Sequence, residues 1–103
     1  MPTYVLAHRA PRTYVGSANT AMNWSAWFDQ LGASLADRGN PVFARESLGN
    51  CGEQTVLGGY TLITADDLDS AVVLAKGDPI LAAGGGVEVG ELTLINAGRS
   101  ALV

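Results

Sequence analysis

The sequence predicts an α+β fold of the ferredoxin-like kind: a four-stranded antiparallel sheet with two helices on one face. Three observations predict it. Segments with a two-residue apolar period and segments with a three- and four-residue period follow one another in the order β-α-β-β-α-β. Glycine and proline mark the boundaries between them. The strand candidates are apolar on both sides, as in Tyr60-Thr61-Leu62-Ile63, so a sheet with helices on one face needs a second cover. The simplest cover is a second copy of the chain, sheet against sheet, which predicts a homodimer.

Residues 3–8 are rich in strand formers, with Tyr4, Leu6 and His8 on one face and Val5 and Ala7 on the other. Residues 9–18 form a loop containing Pro11 and Gly16. Residues 19–38 read as a helix. Met22, Trp24, Trp27, Phe28, Leu31 and Leu35 draw its apolar stripe, Ser17 or Asn19 supplies the N-cap, and Gly39 with Pro41 ends it. Residues 41–47 are a short second strand and 48–54 a turn region with Gly49, Asn50 and Gly52.

Residues 55–64 are the third strand. Gly58-Gly59 inside it predicts a bulge, or a place where something lies against the backbone. Thr64 and Asp67 have the spacing of a capping box for the second helix, whose stripe is Leu68, Ala71, Val72 and Ala75. Gly77 and Asp78-Pro79 stop that helix. Gly84-Gly85-Gly86 is a connection. Residues 87–95 are the last strand, with a bulge or bend expected at Gly90, where the apolar set changes face. No linker or repeat divides the chain, so residues 1–103 read as one domain, with a core over 1–95 and a tail over 96–103.

The 103 residues include only 16% charged side chains, against about 25% in an average domain, and 48% hydrophobic ones. That is no disordered composition, and the low charge agrees with surface buried in a partner. Net charge is −4, from 6 Lys+Arg and 10 Asp+Glu, and His8-Arg9 with Arg12 is the densest basic group. Nucleic acid and anionic membrane are therefore excluded as partners. No apolar run approaches the roughly 18 residues that span a bilayer. The start lacks a charged region followed by an apolar one, so no secretory signal is expected. The single cysteine, Cys51, precludes an internal disulfide and a cysteine-based zinc cluster and fits a reduced, cytoplasmic setting.

Several stretches resemble a known family. They are Leu57-Gly58-Gly59-Tyr60-Thr61-Leu62-Ile63, Asp66-Asp67-Leu68-Asp69-Ser70-Ala71, Pro79, and Gly85-Gly86-Val87-Glu88-Val89. They are similar to the glycine-glycine-aromatic strand, the acidic helix start and the closing strand of the YCII-related proteins. Those include the branch named for an Asp-Gly-Pro-Phe motif and belong to the dimeric α/β-barrel superfamily. The resemblance covers the C-terminal half in residues and the first half in arrangement. It implies a barrel-like homodimer joined through the sheets and a pocket between helices and sheet, where a His and an Asp act as an acid–base pair. One relative is a dehydrochlorinase of a chlorinated hydroxyquinone-type substrate. At the position of the Asp-Gly-Pro-Phe motif this chain has Gly49-Asn50-Cys51-Gly52-Glu53-Gln54-Thr55. The aspartate is missing, so no aspartate role carries over there.

His8 is the only histidine and the first candidate for proton transfer, because its unperturbed pKa lies near neutrality. Its structural alternative is a hydrogen-bonded strand-end histidine. Arg9, Arg12 and Arg45 offer planar donor forks for an anionic oxygen. Arg45 is otherwise expected to pair with Glu46, Glu53, Glu88 or Asp78. Cys51 has no local cation or helix start to make its thiol nucleophilic. Trp27 has core spacing, and Trp24 falls nearer a pocket. Tyr4, His8, Trp24 and Arg45 therefore frame an expected pocket, with Arg9 and Cys51 as further ligand-binding candidates. The three glycines at 84–86 lack phosphate-loop spacing, the acidic helix start is explained by the helix dipole, and no metal-ligand spacing occurs. Neither cofactor nor metal is expected. Two functions remain open: a small-molecule-binding dimer, and a cofactor-independent lyase or isomerase acting through His8 on a hydroxyaromatic or enolisable compound.

Overall fold

The computed structural model describes residues 1–93. Its elements are β1 (Thr3–Pro11), α1 (Ala18–Leu31), a 3-10 turn (Gly32–Ser34), β2 (Leu35–Asp37), β3 (Thr55–Thr64), α2 (Leu68–Ala75), α3 (Pro79–Ala82) and β4 (Gly86–Glu91). The four strands form one antiparallel sheet in the order β2-β3-β1-β4. This is the ferredoxin-like plait, and the expected fold class holds. The end of the expected last strand and the tail lie outside the described residues.

Alternation along β1 decides where the core sits. Tyr4, Leu6, His8 and Ala10 are buried, while the residues between them are half-buried on the opposite face. Tyr4, Leu6 and Ile63 pack against Trp27 and Leu31 of α1 and Ala71 and Ala75 of α2. Burial pushes the Tyr4 hydroxyl above the usual tyrosine pKa, and the nearby Glu91 and Asp67 carboxylates push it the same way.

Several boundaries differ from the sequence expectation. Helix α1 is capped by Ser17, which exchanges capping-box hydrogen bonds with Thr20, and it ends at Leu31 rather than at 38. Its terminator is Gly32, in the positive-φ region at 53°. The apolar stripe runs past this stop because Leu35 packs on the same core from β2. Residues 41–47 form no strand: only Pro41 makes an isolated bridge, to Gly59. The second strand is instead Leu35–Asp37, before Gly39, and a 17-residue segment (38–54) without helix or strand follows it. The stripe of α2 is rotated, so that Leu68 and Val72 are exposed. Asp67 is the N-cap itself and accepts from the Ser70 N–H, which replaces the expected Thr64 box. No bulge occurs at Gly90, since β4 pairs with β1 in unbroken register.

The Gly58-Gly59 expectation holds in both its forms. The β1–β3 register slips between His8, opposite Gly59, and Arg9, opposite Leu57. The segment 40–42 lies against this bulge, with Val42 N–H donating to Gly58 O at 3.0 Å. A Cβ on Gly59 would stand 2.9 Å from Asn40 O. Gly39 is fixed more tightly still: its φ is +72°, and a Cβ there would meet Tyr60 O at 1.8 Å. These glycines let 38–42 fold across the end of the sheet beside His8.

The Ser70 hydrogen bonds hold the Asp67 carboxyl below its usual 3.8, with backbone donation the larger cause and burial opposing it. A depressed carboxylate stabilises the fold above its unfolded pKa and loses that contribution as pH falls through the folded value. Denaturant unfolding of wild type and Asp67→Ala should therefore show a stability gap that is widest above pH 3.8 and narrows below it. Asp67→Asn should retain the cap without this pH dependence.

Candidate functional site

His8 is 5% exposed opposite the β3 bulge at Gly58-Gly59, on the face that carries the helices. Its Nδ1 lies 2.5 Å from Asp78 Oδ2, and its Nε2 lies 2.8 Å from Thr61 Oγ1. Thr61 is on β3, one strand over, and is 1% exposed. Asp78 is 2% exposed and sits immediately before α3, where Oδ1 accepts the Ile80 N–H at 3.0 Å. Pro79 at the first helical position presets this cap. One carboxyl thus starts a short helix with one oxygen and holds the histidine with the other.

The donors and acceptors fix most of the proton positions. The Arg38 carbonyl can only accept, and the Thr61 hydroxyl donates its single hydrogen to it at 3.1 Å. With that hydrogen spent on the carbonyl, the matching tautomer has Nε2–H donating to Thr61 Oγ1. Nδ1 faces an Asp78 carboxyl oxygen, and a proton shared between the two makes this short contact a hydrogen bond. Every buried side-chain polar atom among the described residues has a hydrogen-bond partner.

His8 and Thr61 form part of the wall of a cleft of about 830 Å³. This is within the usual range for small-molecule sites. One side comes from α1, where the Trp24 ring lies edge-to-face with His8 at 4.9 Å and tilted against Phe28 at 6.0 Å. Trp24 Nε1 donates to Tyr14 Oη at 3.4 Å. The other side is the 38–45 segment, from Arg38 to Arg45.

Of the expected site residues, the structure brings His8, Trp24 and Arg45 to this cleft. Arg45 makes no ion pair with the expected acids among the described residues; its Nη1 donates to Val42 O and Leu57 O. Tyr4 is in the core and lines no part of the cleft. Arg9 points from the opposite face of β1 and donates to Cys51 O and Thr55 O, while Arg12 donates to Glu53 O. The Cys51 thiol is exposed and meets Leu48 O at 3.2 Å, away from the cleft lining. Sequence reasoning missed Asp78 as the partner of His8, because Asp-Pro after a helix reads as a stop. It also missed Thr61, an inward residue of an otherwise apolar strand, and Arg38, which the overlong helix absorbed.

No family model matches the chain, and no curated protein matches it. Among solved structures, the chain is similar to the 5-chloro-2-hydroxyhydroquinone dehydrochlorinase of Burkholderia phenoliruptrix AC1100, solved in complex with 2,5-dihydroxybenzoquinone. Identity is 18% and the TM-score 0.58, over 88% of this chain and 93% of that one. At that identity the likeness speaks for the fold alone, the four-stranded plait described above.

Proposed function

We propose that the cleft binds a compact hydroxyaromatic or enolisable compound and that His8 exchanges a proton with it, without a cofactor. The observation that carries this reading is the buried His8–Asp78–Thr61 network opening onto an aromatic-walled cleft. A ligand oxygen that takes the place of Thr61 Oγ1 beside Nε2 receives a hydrogen bond from a protonated nitrogen. Such a donor favours an enolate or phenolate over its neutral form. Asp78 holds the ring orientation and balances the imidazolium charge, the role a buried carboxylate plays behind an acid–base histidine.

The reading takes the chain for a relative of the YCII-related proteins. The His–Asp pair that the resemblance implies supports it, with Asp78 before β4 standing in for the absent motif aspartate. The dihydroxybenzoquinone bound by the structural neighbour belongs to the same ligand class. A second reading, binding without turnover, is favoured by one observation: both ring nitrogens of His8 already have protein partners.

Single removal of His8 or Asp78 strands a buried partner and costs about 3–5 kcal/mol, so single variants confound stability with activity. The double variant His8→Gln/Asp78→Asn replaces the pair with neutral hydrogen-bonding groups and keeps a capping oxygen for Ile80. The readout is uptake of deuterium from D2O into the ring carbons of 1,2,4-trihydroxybenzene. Wild type should accelerate it, and the folded double variant should lose about 10²–10⁴-fold of that acceleration. Binding without acceleration in wild type selects the second reading.

We further propose that the chain is a cytoplasmic homodimer joined through the sheet face that lacks helices. Val5 is paired with Leu62 and Ala7 with Tyr60 across that face, and all four are only half-buried. Sedimentation should give twice the 10.6 kDa chain mass. Ala7→Asp should shift it to one chain mass while the plait stays folded. A wild-type monomer at high concentration contradicts the assembly.

A further inference from the structure

The cleft is positively charged in a negatively charged chain. Its lining includes Arg38 and Arg45 and, among the described residues, no Asp or Glu. Net charge is −4 over the full sequence, so this wall runs against the overall balance.

The described arginines are not equivalent. Arg9, Arg12 and Arg45 donate to backbone carbonyls and serve as struts for the 42–57 region. Arg38 is the one described arginine whose side chain makes neither a hydrogen bond nor a salt bridge with another described residue. It is not left to wander. Its guanidinium carbon stands 4.6 Å above the centroid of Phe28, a cation–π contact. Its carbonyl accepts from Thr61, the residue that also receives Nε2–H of His8.

Stacking occupies the face of a guanidinium and leaves its N–H edge free. That edge is a planar fork matched to the two oxygens of a carboxylate. His8, Trp24, Phe28 and Arg38 make a continuous wall, with ring separations of 4.9 and 6.0 Å. A flat ring lying along this wall has a proton donor at one end and an unfilled donor fork at the other.

We propose that the ligand is an anionic aromatic acid, a hydroxylated benzoate-type compound, whose carboxylate is held by Arg38 while its ring hydroxyl faces His8. This inference rests on the cleft reading above and adds the ligand's charge and orientation. Arg38 is then the specificity-determining residue.

The test is calorimetric titration of wild type, Arg38→Ala and Arg38→Lys with two probes: 2,5-dihydroxybenzoate and its neutral analogue 1,4-dihydroxybenzene. A charge-assisted bidentate contact should make the acid bind wild type roughly 10- to 100-fold more tightly than the neutral ring. Arg38→Ala should erase that ratio, the acid losing far more affinity than the neutral ring. Arg38→Lys should restore part of it, because a point charge lacks the fork. Equal affinity for both probes in wild type, or a ratio that survives in Arg38→Ala, overturns the Arg38 assignment and leaves the His8 cleft standing. Failure of both probes to bind folded wild type overturns the cleft reading and this inference with it.

Discussion

A histidine and a carboxylate with almost no access to water need a hydrogen-bond partner for each buried polar atom. That constraint shapes much of the structure around His8. It requires Asp78 to reach the sheet from the start of α3, and a proline-primed cap anchors the carboxyl there. It requires a hydroxyl opposite the other ring nitrogen, supplied by Thr61. It also requires a carbonyl for that hydroxyl, supplied by Arg38 in the segment that folds back over the glycine bulge. Removing one partner from such a network costs more than the bond itself, because it leaves a desolvated charge or donor behind.

The backbone irregularities gather at this point. The β1–β3 slip is next to His8, and Gly59 has Asn40 against it. Gly39 adopts a positive φ because its N–H closes a turn on the Asp37 side chain while its backbone touches Tyr60. Residues 40–42 bond to β3 but no strand continues from them, and the irregular segment forms one wall of the cleft, as functional loops on rigid sheets often do.

The plait was legible in the sequence because its strands and helices differ in period, and because the glycine pair and the Asp-Pro dipeptide punctuate it clearly. The boundary of α1 was not. Leu35 continues the helical spacing, yet it belongs to a strand that approaches the same core from another direction. Displacing that boundary hid Arg38 and shifted the second strand. His8 was legible as a candidate through its residue type and its face. Its partner was not, since Asp78 lies 70 positions away and reaches His8 only through the packing of α3 against β1, α1 and β4. Tyr4 shares the face of His8, but the nearer end of the strand is filled by core side chains. Arg9 falls on the far side by the same alternation, and Cys51 lies in the irregular segment with its carbonyl held by Arg9.

The proton on Nε2 is the claim on which the chemistry of the cleft turns, and it can be read directly. The chain has one histidine, so a long-range ¹H–¹⁵N spectrum of the imidazole requires no assignment. The account expects a protonated, pyrrole-type shift for Nε2 at neutral pH, together with a far-downfield proton on the Nδ1 side that disappears in Asp78→Asn. An unprotonated, pyridine-type Nε2 would mean that Thr61 donates to His8, and would contradict it.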